Sequence, residues 1–262
     1  MNRIFKQAKT LLITYYAYML EYRAELFLWA LSGSLPFILM GIWIEASSQQ
    51  QFALQPLQFA RYFLAAFVVR QMNVVWVIWE FEKEVVQGTL SSKLLQPIDP
   101  AFHHIAAHIS ERFARLPFIV GLVLLFFVLY PQAFWLPSLD RAIVFLIAII
   151  FAFMLRFLVQ HTLALFAFWI ERATAIEQFW FLPYLFLSGI VEPLEVFPES
   201  VRQIVIWTPF PYLIHFPAAL ISGLPIQIGR SFAIMLVWTI LFFIGNRWLW
   251  RNGLKRYSGM GA

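Results

Sequence analysis

Cysteine is absent from the chain, which excludes disulfides and thiolate metal sites and leaves the redox compartment unmarked. Charge is scarce as well: Asp, Glu, Lys and Arg make up 13% of the residues, against roughly a quarter in soluble domains. The phosphate-cradling pattern G-x-x-x-x-G-K-[ST] does not occur, so the chain carries no nucleotide hydrolase of that type. Clustered carboxylates, a Ser-His pairing and a His-x-x-x-His with a third ligand are also missing, which argues against a membrane enzyme. There is no repeat at a fixed period and no low-complexity stretch.

What is present is apolar. Hydrophobic residues make up 61% of 262 positions, with 29 Phe and 11 Trp, which identifies an integral membrane protein. At about 20 residues per crossing the length holds roughly six or seven spanning helices in one domain, with no room for a soluble domain beside them. The net charge of +5 is, in such a protein, mainly an orientation signal and not a sign of nucleic-acid binding.

From Arg3 to Tyr22 the residues Ile4, Phe5, Ala8, Leu11, Leu12, Tyr15 and Met19 recur at helical spacing opposite Arg3, Lys6, Gln7, Lys9 and Thr10. This predicts a helix lying in the membrane interface. A signal peptide is the alternative, but no small-x-small cleavage site follows. The first crossing is expected over about Ala24–Ala46 with a kink at Pro36, then an uncharged loop from Ser47 to Gln51. The second spans about Leu57–Trp79, the third Leu116–Leu129, the fourth Leu139–Trp169, the fifth Ala175–Ile190 and the sixth Arg230–Leu249.

Between the last two crossings, Ser188-Gly189 leads through Pro193 and Pro198 into an apolar run broken by Pro209, Pro211 and Pro217 and closed by Ser222-Gly223-Leu224-Pro225. Each interior proline removes a backbone hydrogen bond and clashes with the preceding turn. Residues 192–225 are therefore expected to form a re-entrant or interfacial pair of short helices on the outer side.

Charge counting orients the bundle. Lys plus Arg number 4, 4, 1 and 4 in residues 1–23, 80–115, 170–177 and 247–262, against 0, 1 and 2 in 46–60, 131–141 and 192–230. The positive-inside rule then gives six crossings with both termini cytoplasmic.

Polar residues inside apolar runs are functional candidates. Arg70 has two readings, contact with cargo in a wet cavity or a structural hydrogen bond to Gln71, Asn73 or a partner subunit. Arg70, Asn73 and Arg156 are the candidates for substrate contact, although Arg156, beside Gln160 and His161, also fits a polar helix end. His104, His108 and Glu111 share one helical face at metal-ligand spacing, but a lone i, i+4 histidine pair lacks the third ligand and second shell a metal site requires, and a hydrated helix end is expected.

The most charged segment runs from Glu80 to Pro100, between runs that are nearly all apolar. A helix leaving the membrane can continue through Glu84 and close on Gly88 in a left-handed cap. Thr89 can cap a second short helix with Leu90, Leu94 and Leu95 on one side and Ser91, Ser92 and Lys93 on the other, ended by Pro97 and Pro100. This stretch, with Glu80, Glu82 and Glu84 before Gly88-Thr89-Leu90 and Leu94-Leu95-Gln96-Pro97 after it, resembles the cytoplasmic coupling helix of ABC-2 type transporter permeases.

With the interfacial helix, the six crossings and the broken segment before the last one, the resemblance covers most of the chain and is closest to a bacterial viologen-exporter-like subgroup. It implies a single ABC-2 transmembrane domain over residues 1–262 in the bacterial plasma membrane. It also implies two copies of a separate ABC ATPase holding the ATP and Mg that this chain does not bind, and a second permease subunit, not identical to this one. Coupling to the ATPase would fall to Glu80, Glu84, Gly88, Thr89, Leu90, Leu94 and Leu95. The substrate would be an amphiphilic or hydrophobic molecule exported from the cytoplasm. The rival is a membrane assembly factor or scaffold, in which residues 80–100 are only a loop.

Overall fold

The computed structural model describes residues 3–48 and 52–257; residues 49–51 of the first expected outer loop and the end of the basic tail lie outside them. Among the described residues twelve α-helices follow one another: α1 (Arg3–Glu21), α2 (Arg23–Ser32), α3 (Leu35–Ser48), α4 (Pro56–Asn73), α5 (Val77–Val86), α6 (Leu90–Leu94), α7 (Pro100–Leu129), α8 (Leu139–Ala164), α9 (Thr174–Leu187), α10 (Glu199–Val205), α11 (His215–Ser222) and α12 (Ile228–Leu254). Short 3₁₀ turns extend α8 through Phe168 and precede α11 at Phe210–Leu213.

Five stretches of the described residues are long and apolar enough to cross a membrane: Arg23–Ser48, Pro56–Val86, Pro100–Leu129, Leu139–Phe168 and Ile228–Leu254. The expected fifth crossing is not among them. It forms α9, whose 14 residues span only about 21 Å at 1.5 Å per residue, short of the roughly 30 Å hydrocarbon thickness. Its end is set by Gly189, whose φ of +92° turns the chain where an L side chain is disfavoured.

The first crossing breaks earlier than its proline suggests. The interruption is at Gly33-Ser34, between α2 and α3, and Pro36 sits in the first turn of α3, where its missing N–H has no intrahelical partner to lose. Gln71 lies against the break: its amide donates to the Ala30 carbonyl at 2.8 Å, and a Cβ on Gly33 would collide with the same amide nitrogen.

α4 is the central helix. A proline at its first position and Gln58, whose side chain accepts from the Gln55 N–H at 2.8 Å, set its start. Buried residues cover its whole circumference, as expected of a helix surrounded by others. Phe59, Phe63, Ala66 and Val69 pack with Ala148, Ala152 and Leu155 of α8 and with Phe216, Ala218 and Ala219 of α11. The alanines let these backbones approach closely.

The proline-rich segment is broken as its sequence predicts. α10 is largely exposed, Pro211 lies in the 3₁₀ turn, Pro217 falls in the first turn of α11, and Gly223 at φ +87° closes that helix. Unlike a surface hairpin, however, α11 is buried from His215 to Leu220, because its apolar face fills the gap between α4 and α8.

Candidate functional site

The chain turns between α5 and α6 at Gly88, with φ +73°, the left-handed closure expected of it. Thr89 does not cap α6 through its side chain. Ser91 and Ser92 instead donate back to the carbonyls of Gly88 and Thr89, at 2.6 and 2.8 Å, which tightens a helix of 5 residues.

Each acidic residue before the turn has a partner on another helix, although Glu80 itself stays exposed and Glu82 and Glu84 are only partly covered. Glu80 and Glu84 of α5 flank His104 of α7, at 3.2 Å from Nδ1 and 3.4 Å from Nε2, and His104 is 3% exposed. Lys93 of α6 closes an ion pair on Glu84. α5, α6 and α7 thus meet at one buried imidazole and one lysine. Glu82 reaches across to α9, where its carboxylate accepts from the Thr174 N–H at 2.7 Å and faces the Thr174 hydroxyl at 3.3 Å. A side chain distant in sequence thereby occupies the capping position of that helix.

The three leucines of the short helix separate. Leu90 is fully buried with Ile78, Phe81, Leu165, Ala173 and Trp250, and Leu94 packs partly against that cluster. Leu95 is 88% exposed. Placed on one side of the short helix by the sequence pattern, the three differ in burial because the Gly88 turn folds the start of α6 back onto α5 and the end of α8. Leu95 alone is a fully presented apolar side chain.

The histidines of α7 are not a hydrated helix end. His108 is 1% exposed and sits against the interruption between α4 and α5, where its Nε2 accepts the Trp76 N–H at 2.7 Å. Its Nδ1 lies 2.8 Å from the His104 carbonyl, which fixes the neutral Nδ1–H tautomer. Arg112 donates to the Met72 and Val74 carbonyls of the same interruption, and Glu111 pairs with Arg115. Of the three residues at metal-like spacing, His108 alone serves a backbone group of the break, whereas His104 meets the Glu80 and Glu84 carboxylates and Glu111 an arginine. Beside this region, Tyr15 of α1 meets His103 at 3.2 Å, and burial together with the nearby Glu84 and Glu80 carboxylates raises its phenol pKa.

Arg70, Asn73 and Arg156, singled out separately along the sequence, line one cavity of about 390 Å³ between α4, the α4–α5 break, α8 and α9. Asn73 donates to the Leu213 carbonyl at 2.7 Å, and the Arg156 guanidinium lies 3.9 Å from the Tyr184 ring centre. Glu177 also lines the cavity and takes a hydrogen bond from Gln160 at 3.3 Å. Sequence reasoning missed Glu177 and Tyr184; a carboxylate in the first turn of an otherwise apolar helix was the available signal.

A chain whose described residues are helical, with five membrane-length stretches and a largely apolar cavity holding a few polar side chains between four of its segments, is a multi-pass integral membrane protein. It matches the family described as ABC-2 family transporter protein over residues 57–261. The chain belongs to that family, whose members are the membrane components of transporters. No curated protein matches it.

Proposed function

We propose that the chain is the permease subunit of an ATP-driven exporter, moving an amphiphilic or hydrophobic substrate out of the cytoplasm by alternating access. The energy comes from two copies of a separate ABC ATPase, which bind the ATP and Mg, and a second permease subunit completes the pore in the bacterial plasma membrane. Membership of a transporter family supports this reading, and one structural observation carries it: α6 is a short helix anchored by buried Leu90 at its start and by the Lys93–Glu84 ion pair near its end, with Leu95 exposed just past it. A helix so tethered moves as one piece with α5 and α7, and α5 continues into the Trp76 break that walls the cavity. A push on α6 is then felt at the cavity.

In this reading Glu80, Glu84, Gly88, Thr89 and Leu90 hold the coupling helix in place, whereas Leu94 and Leu95 meet the ATPase. Residues 80–112 and both termini face the cytoplasm. α9 and its continuation to Ile190 serve as the fifth of six passages, and the short helices within 192–225 form the re-entrant or interfacial pair on the outer side. Purification of the tagged chain from its native membrane tests the assignment. A stoichiometric ATPase with ABC motifs is expected to accompany it; its absence under conditions that preserve membrane complexes favours the scaffold instead.

A further inference from the structure

The cavity beneath the α4–α5 break holds more positive charge than its own residues neutralise. Arg156 is 7% exposed, and its Nε and Nη1 are buried without a partner, as is Nη1 of Arg70. Neither arginine takes part in an ion pair among the described residues. The nearby carboxylate of Glu177 takes one hydrogen bond from Gln160 at one oxygen, and its single charge at most offsets one of the two cations. A buried guanidinium with unused N–H groups is costly unless something accepts from it, and its planar fork suits a carboxylate or phosphate.

Most of the remaining lining is apolar or aromatic. Trp76, Trp79 and Phe181 wall the cavity, and Trp79 and Phe181 are 44% and 42% exposed, so the wall continues onto the lipid-facing or partner-facing surface. We propose that this cavity binds an anionic amphiphile, its phosphate or carboxylate head between Arg70 and Arg156 and its apolar body along Trp76, Trp79 and Phe181. Resting on the transport reading above, this names the class of molecule moved. An aromatic cation would have to face two unpaired guanidiniums, so the charge balance disfavours it despite the aromatic wall.

The test uses the full-length chain in a neutral maltoside detergent. Gln178 lines the cavity and is exposed; because the chain has no cysteine, Gln178→Cys gives a single labelling site. Dodecyl phosphate is expected to slow modification of that thiol by a maleimide severalfold. Dodecyltrimethylammonium and inorganic phosphate at the same concentration should leave the rate unchanged. Arg70→Gln and Arg156→Gln, each added to Gln178→Cys, should raise the half-protecting concentration of dodecyl phosphate about tenfold, the usual loss for one charge-assisted hydrogen bond.

Equal or better protection by the ammonium amphiphile would overturn the proposal, as would protection by inorganic phosphate alone or none by dodecyl phosphate. Should the glutamine variants not fold, the three-probe comparison on Gln178→Cys decides by itself. Binding is measured without an ATPase, so its failure leaves the exporter assignment standing. Loss of the ATPase partner with binding intact would remove only the transport step.

Discussion

The backbone N–H of Trp76 donates to Nε2 of His108 at 2.7 Å, so the interruption between α4 and α5 is held by a side chain of α7. Arg112 accompanies it on the Met72 and Val74 carbonyls, with its guanidinium 3.9 Å from the Phe153 ring centre. Backbone groups that a helix break leaves open and packing covers must find another partner. His108→Phe keeps a ring but removes the acceptor, and the Trp76 N–H left unpaired should cost about 1–3 kcal/mol. Arg112→Met removes several bonds at once and should cost more. Thermal unfolding in detergent, followed by tryptophan fluorescence, checks both; an unchanged transition in His108→Phe would mean that the break is secured by other contacts.

Glycine substitutions should split by site. At Gly189 a Cβ would collide with the Tyr62 hydroxyl and lie 2.7 Å from the His215 Cβ, and the backbone already has a positive φ. Tyr62 also donates to the Gly189 carbonyl at 2.7 Å, so the turn cannot retreat without losing that bond. Gly189→Ala is expected to destabilise by more than about 1 kcal/mol, the usual cost of enforcing a left-handed residue. Gly41 lies inside α3, and a Cβ added there would meet nothing within 4 Å, so Gly41→Ala should stabilise by about 0.5–1 kcal/mol. Melting temperatures that move in the same direction for the two variants would contradict this account.

The pattern of what was legible follows from range. Gly88, Gly223 and the prolines of 209–217 act within a few residues, so their turns could be read from the sequence. The helix α1 and the long apolar helices were legible too, because composition and period are properties of a window. The inward aim of Leu90 was not, since its partners on α8 and α12 belong to other windows. Glu82 on Thr174 is a contact over 92 residues and Trp76 on His108 one over 32, and neither changes any local pattern. Arg70 and Arg156 stood out because charge inside an apolar run is anomalous by itself, but their meeting at one cavity is visible only once α4 and α8 are packed.

Orientation is open to direct measurement because the chain lacks cysteine. Single cysteines at Ser92 or Lys255 are expected to react with an impermeant maleimide only after the cells are opened. Cysteines at Ser138 or Gln203 should react in intact cells, as charge asymmetry requires. Labelling of Ser92→Cys from outside would invert or abolish the six-passage arrangement and, with it, the cytoplasmic placement of α6.

Coupling separates Leu90 from Leu95. A carboxylate at Leu90 would enter a cluster with Ile78, Phe81, Leu165 and Trp250, and burying an unpaired charge there should prevent stable folding or shift its pKa to avoid ionisation. Leu95, 88% exposed, has no internal neighbours to lose, so Leu95→Asp should be expressed and melt like the parent. If Leu95 seats in a groove of the ATPase, the same variant places a charge in an apolar contact and should lower substrate-stimulated ATP hydrolysis and efflux by about tenfold or more, since hot-spot truncations commonly exceed about 1–2 kcal/mol. Gly88→Val should resemble Leu95→Asp in function but not in stability, because a β-branched residue at φ +73° re-aims α6 and strains the turn. The measurements are ATPase rate in proteoliposomes and efflux in cells, each normalised to expression. Full activity in a well-folded Leu95→Asp protein would show that the exposed end of α6 is not where force enters the permease.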